Sequence, residues 1–162
     1  MNIQFLLEKL YSSPEFEKFK KEYEDAYPCS GFFIIDLKGT EKKYHLDFYS
    51  PSLNKMFSFY LENGIELIPV ETLGEGIPER ILLNYSLDFD DIVKIIKKEI
   101  NEREIKKSIE KILISLQNIN GKDLLICTVF ISNLGIIKAN ITPEMEIIDF
   151  EKKSFFDFIR KA

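Results

Sequence analysis

At 162 residues, 45% hydrophobic and 30% charged, the chain has enough apolar surface to build one sizeable core, and disorder is excluded as its main state. Lys and Arg number 22 and Asp and Glu 27, a net charge of −5 and the wrong sign for a protein that grips phosphate backbones. Nucleic acid is therefore not expected as a partner. No apolar run is long enough for a membrane span, so no membrane partner is expected either.

Ile3, Leu6, Leu7 and Leu10 have helical spacing. Glu8 and Lys9 interrupt that run, and neither a basic leader nor a small-residue cleavage site accompanies it, so a cytoplasmic location is expected. Ser12 or Ser13 ahead of Pro14 and Glu15 predicts a second helix start, with a hydroxyl cap and proline in the first turn. Phe16, Phe19, Tyr23 and Ala26 continue its apolar face until Pro28. From Gly31 the period changes to two, predicting strands over 32–37, 43–49, 55–61 and 65–70. Tyr44, Leu46 and Phe48 alternate with Lys43, His45 and Asp47, one face buried and one wet. The next strand is apolar on both faces, with Phe57, Phe59 and Leu61 on one and Met56 and Tyr60 on the other. Asn63-Gly64 is a hairpin signal, and Pro69 suits a sheet edge. Residues 71–86, holding Gly74, Gly76 and Pro78, read as a loop.

Segment 87–119 reads as helical. Asp88 is the expected cap, with Asp90 and Asp91 in the first turn where the helix dipole favours acids. Phe89, Ile92, Val93, Ile96 and Ile100 share one face. Ile105, Ile109, Ile112, Leu113 and Leu116 share another, turned by about 180° if each residue advances about 100°. Either the long helix 88–118 breaks at 101–104, or it runs on and buries opposite sides in two places. Strands are then expected over 122–132, again apolar on both faces, over 135–141, and over 147–150 after the Thr142-Pro143 turn. Ser154 with Asp157 predicts a short final helix carrying Phe155, Phe156, Phe158 and Ile159.

Short turns between successive strands and segregated helices imply an α+β fold: one compact domain, 1–162, with an antiparallel sheet packed on a long helix. It divides into an N-terminal half, 1–86, and a C-terminal half, 87–162. The halves echo each other. Each has a helix, a strand led by a cysteine (Cys29 or Cys127), a strand ending at Ser50-Pro51 or Thr142-Pro143, and a further strand. Two α-βββ units are the corresponding reading.

The stretch from the long helix through GIIKANITPEMEIIDFEKKSFFDFI resembles a PepSY-type unit over about residues 120–160, with Asn140-Ile141-Thr142-Pro143-Glu144 in the turn between its last two strands. The chain as a whole resembles small archaeal proteins that carry such a C-terminal unit. The resemblance implies a cystatin-like helix against a small antiparallel sheet, and an inhibitory, chaperone-like or regulatory binding role.

Residues that could carry chemistry are few. His45, the single histidine, shares a strand face with Asp47, an arrangement that can orient a base, yet no nucleophile is spaced to join it. Cys29 follows a helix end and Cys127 lies in an apolar strand, neither of which activates a thiol. Gly74-Glu75-Gly76 starts a phosphate-loop pattern that Pro78 and Glu79 spoil. Asp88, Asp90 and Asp91 lack calcium-loop spacing, and Glu99 with Arg103 and Glu102 with Lys106 read as i,i+4 pairs. No catalytic, cofactor or metal residue is assigned, and both cysteines are expected to be reduced. The expectation is a non-enzymatic binding or regulatory protein working through an unknown protein partner or a homodimer. The alternative is a small apolar ligand held in a cavity between sheet and helix. The strands apolar on both faces need cover on both, either from the N-terminal helices or from a second molecule.

Overall fold

A computed structural model of the chain describes residues 1–71 and 76–154. Helix α1 spans Ile3–Tyr11 and helix α2 spans Pro14–Glu22. Asn2 and Ser13 cap them, their side-chain oxygens accepting from Gln4 N and Phe16 N. The expected hydroxyl cap and first-turn proline of α2 are present. The helix stops at Glu22 rather than reaching Ala26: Tyr23 leaves the helical conformation, Ala26 N donates to Tyr23 O in a turn, and Lys20 Nζ donates to the Glu24 and Ala26 carbonyls beyond the helix end, before β1 begins at Tyr27.

Eight strands follow: β1 (Tyr27–Asp36), β2 (Lys42–Ser50), β3 (Lys55–Tyr60), β4 (Glu66–Val70), then β5 (Ile109–Ile119), β6 (Lys122–Ile131), β7 (Gly135–Ile141) and β8 (Ile147–Ser154). They form one antiparallel sheet in the order β4-β3-β2-β1-β5-β6-β7-β8. Pro69 sits on edge strand β4, where its missing N–H costs no ladder bond. Ser154 closes β8, and the predicted final helix lies outside the described residues.

The long helix is the main departure. Helix α3 covers only Phe89–Glu102, and Ile109–Ile119 is a central strand. The junction expected at 101–104 is therefore real, but it joins a helix to a strand. Glu104 is left-handed (φ 58°) and Ile105 N donates to Ile100 O at 3.1 Å, a Schellman-like exit. Ile109, Ile112 and Leu116 mimic helical spacing, yet Ile112, Ile114 and Leu116 are buried with a period of two, and a register shift between Ile109 and Lys111 precedes them and leaves Ile109 buried as well. The isoleucines there are β-branched and favour the pleated state.

Restoring β5 also moves the internal echo by one strand. The two halves are four-stranded meanders, β1–β4 and β5–β8, meeting at the β1–β5 pair. The counterpart of β1 is β5, not the cysteine-led β6, so the units hold four strands each rather than three.

All three helices lie on one face. Phe19 of α2 touches the rings of Phe48, Phe57 and Phe59, with centroids 5.0–5.7 Å apart. Phe89 of α3 touches Phe33 and Tyr44, and Arg103 at its end lies over Phe150 of β8. Tyr44 and Phe48 are four residues apart on β2 and share a side. The pairings Tyr44↔Phe33↔Ile114↔Cys127↔Ala139↔Phe150 carry that side across the sheet. The N-terminal helices thus cover the same face as α3 and leave the far face without them, against the expectation of internal cover. Two short bonds fix this arrangement: Ile3 N donates to Leu87 O at 2.8 Å and Phe89 N to Met1 O at 2.9 Å, which ties the starts of α1 and α3 together.

Candidate functional site

The sheet face away from the helices carries its own apolar cluster. By alternation and register, Phe32 and Ile34 of β1, Leu113 of β5, Leu124, Ile126 and Phe130 of β6 and Ile136 of β7 all point to it. None of them belongs to the main core. Ile34 is nonetheless only 6% exposed, and the others are half-buried, because they shield one another. Lys43 and Lys138 flank the same rows and are exposed. A patch with an apolar centre and a charged rim has the anatomy of an interface.

Two clefts open at the ends of this face. At one end, a cleft of about 530 Å³ has Ile34, Leu113 and Phe130 as its floor. Its rim holds two ion pairs, Lys38 to Glu110 at 2.9 Å and Lys111 to Glu41. At the other end, a cleft of about 630 Å³ takes in Leu124. Phe130 and Leu124 stand about 20 Å apart along β6 at about 3.3 Å per residue, with Ile126 between them.

The sequence-predicted residues fall as follows. His45 and Asp47 do share this face but do not pair. His45 Nε2 lies 3.3 Å from Glu62 Oε1, and the ring stacks on Tyr60 at 3.7 Å. Asp47 instead accepts from the Ser30 hydroxyl at 2.7 Å. Burial alone would raise the Glu62 carboxyl; the Tyr44 N–H and His45 outweigh it and hold the group below the usual carboxylate range. The imidazole is thus held between the Tyr60 ring and the Glu62 carboxylate, which meets its Nε2. Cys29 and Cys127 are free and buried, at 5% and 0% exposure. Burial pushes both thiols up to about 12. Each is expected to react with a thiol reagent at pH 8 only after unfolding, so native and denatured titrations should give zero and two thiols. Rapid labelling of either in the folded chain would refute this.

Asp88 caps α3 as expected, accepting from Asp90 N at 2.9 Å. Glu99 pairs with Arg103 at 2.8 Å, whereas Glu102 lies 3.9 Å from Lys98 rather than pairing with Lys106, which has already left the helix. Gly74 and Glu75 lie outside the described residues. Among the described residues, no group of three His, Cys, Asp or Glu side chains could hold a metal ion.

One residue that sequence reasoning missed organises the second cleft. Asp123 is 5% exposed and accepts from Leu82 N and Leu83 N at 2.9–3.1 Å, from Tyr85 Oη at 2.6 Å and from Asn118 Nδ2 at 3.2 Å. It clamps the linker between the halves to β6. The signal was present: Asp123 is in phase with Leu125 and Cys127, a charge on the buried side of its strand.

No protein-family model matches the chain, and no curated protein does. Among solved structures, the chain is similar to a "putative lipoprotein" from Clostridium difficile 630, with 14% identity and a TM-score of 0.59 over 86% of this chain and 90% of that one. That likeness supports the α+β fold and nothing finer. No helix among the described residues is long and apolar enough to cross a membrane.

Proposed function

We propose that the protein is a non-enzymatic binding or regulatory module of the cytoplasm whose helix-free sheet face takes a protein partner. The observation that carries this reading is the second apolar cluster, from Phe32 to Ile136, on the side from which all three helices are absent. Sheets with one dry and one wet face normally alternate apolar and polar residues, and β6 does not. The resemblance of residues 120–160 to a PepSY-type unit points the same way. Against a small ligand between sheet and helices stands the packing there: Phe19, Phe33, Phe48, Phe59, Ile92 and Ile96 fill that space at 0–2% exposure.

The test is the double substitution Ile126→Asp with Phe130→Asp. Both side chains are half-buried outside the core, so the variant should keep a single cooperative urea transition, at a cost of about 2–4 kcal/mol for two carboxylates set in an apolar cluster. Light scattering reports a second copy, and affinity capture reports another protein. Either association should fall by roughly tenfold or more in the variant, as expected for aromatic and aliphatic anchors near a patch centre. An association unchanged by the double substitution would refute the reading, as would a parent chain that neither self-associates nor captures a protein.

A further inference from the structure

The end of the sheet where the halves are joined carries a different feature. Leu82 of the linker, Ile119 at the end of β5 and Ile148 of β8 are 50%, 42% and 58% exposed. Large aliphatic side chains this exposed are ordinarily scattered singly over a surface. Here all three wall one cleft, together with Leu124 and Pro143. The cleft is built on firm supports. Asp123 and Tyr85 brace the linker on one side. On the other, the turn 142–146 is closed by Thr142 N donating to Glu146 O at 2.9 Å and Glu146 N to the Thr142 hydroxyl at 3.2 Å. The Asp123 carboxylate is fully engaged by its donors and is not offered to a ligand.

The rim is acidic. Glu144 and Glu146 line it and Asp149 follows, all exposed, and none is in an ion pair with a base among the described residues. Lys122 is the single base lining the cleft. Such a rim repels polyanions and anionic lipid surfaces and attracts cations. Walls about half exposed leave a small molecule mostly in water, short of the enclosure such ligands need. A chain segment, by contrast, can set one side chain between the walls and lay its neighbours over the rim.

We propose that this cleft docks a protein segment that is both apolar and basic, with an aliphatic or aromatic side chain seated between Leu82, Ile119 and Ile148 and adjacent Lys or Arg residues meeting Glu144 and Glu146. The site shares only Leu124 with the face assigned above and stands without it.

The experiment titrates the isotopically labelled full chain with two blocked octapeptides, one alternating Lys and Leu and one alternating Glu and Leu, and follows backbone amide shifts. The basic peptide should bind at least about tenfold tighter than the acidic one and shift the amides of Leu82, Lys122 and Ile148. Glu144→Lys with Glu146→Lys should cancel or invert that preference, and Ile148→Asp, at an exposed position, should weaken binding by roughly tenfold. Ile126→Asp with Phe130→Asp should leave it unchanged. Equal binding of both peptides, shifts confined to other residues, or no shift at millimolar basic peptide would each overturn the proposal. Loss of binding in the Ile126/Phe130 variant but not in Ile148→Asp would place the peptide on the open face, overturning this site while leaving the earlier reading intact.

Discussion

Replacing Phe19 with alanine is expected to cost about 3–5 kcal/mol, the range for a buried phenylalanine truncated in a core that cannot collapse around the gap. Phe19 is 2% exposed and touches the rings of Phe16, Tyr23, Phe48, Phe57 and Phe59 at centroid distances of 5.0–6.1 Å. Three of those rings belong to β2 and β3, so the side chain is the principal pin between α2 and the N-terminal meander. The loss is a large fraction of a stability of about 5–15 kcal/mol. Phe19→Leu, which keeps most of the volume, should cost roughly 1–2 kcal/mol. Urea titrations of both variants check this. A loss below about 1 kcal/mol for Phe19→Ala would mean that the aromatic cluster does not hold the helix.

Replacing Asp123 with alanine is expected to cost about 3–4 kcal/mol. Hydrogen bonds to a charged acceptor contribute about 1.5–3 kcal/mol each, and donors left buried without a partner add their desolvation cost. The four groups on this carboxylate act as one network, so their contributions do not sum. Leu83 stands at φ 53°, a strained conformation for a leucine that the carboxylate helps to hold through the Leu83 N–H. The loss should therefore be local as well as global. Hydrogen exchange at the Leu82 and Leu83 amides should accelerate strongly in Asp123→Ala, while amides of the β1–β5 pair accelerate only as far as the global loss requires. Asp123→Asn keeps the shape but turns one acceptor into a donor facing the linker amides, and should recover less than half of the loss. Unchanged exchange at Leu82 and Leu83 would refute the clamp.

The sequence alone determined whatever depends on near neighbours. Ser13 and Asp88 cap helices because their side chains reach back to backbone N–H groups two or three residues on. Strand β7 was expected over 135–141, and those are its limits, because apolar alternation and flanking turns need no distant partner. The doubly apolar character of β6, and hence the candidate binding face, was likewise legible in the alternation of residues 122–131.

Tertiary structure decided the rest. The residues 109–119 satisfy helical and strand spacing together, and the choice went to strand because the free edges of β1 and β6 gain two full ladders from it. That choice set β5, not β6, beside β1 at the centre of the sheet and placed Leu113, which local spacing assigns to a helix, beside Ile34. The partner of His45 was also beyond local reading: Glu62 is 17 residues away and arrives through the β2–β3 pairing, while Asp47, two residues away, turns to Ser30. The same holds for which face the helices cover. Amphipathic helices state that they need a surface, not which one, and here α1, α2 and α3 share one side of the sheet. Sheet register and layer choice depend on contacts between residues far apart in the chain, and no local pattern encodes them.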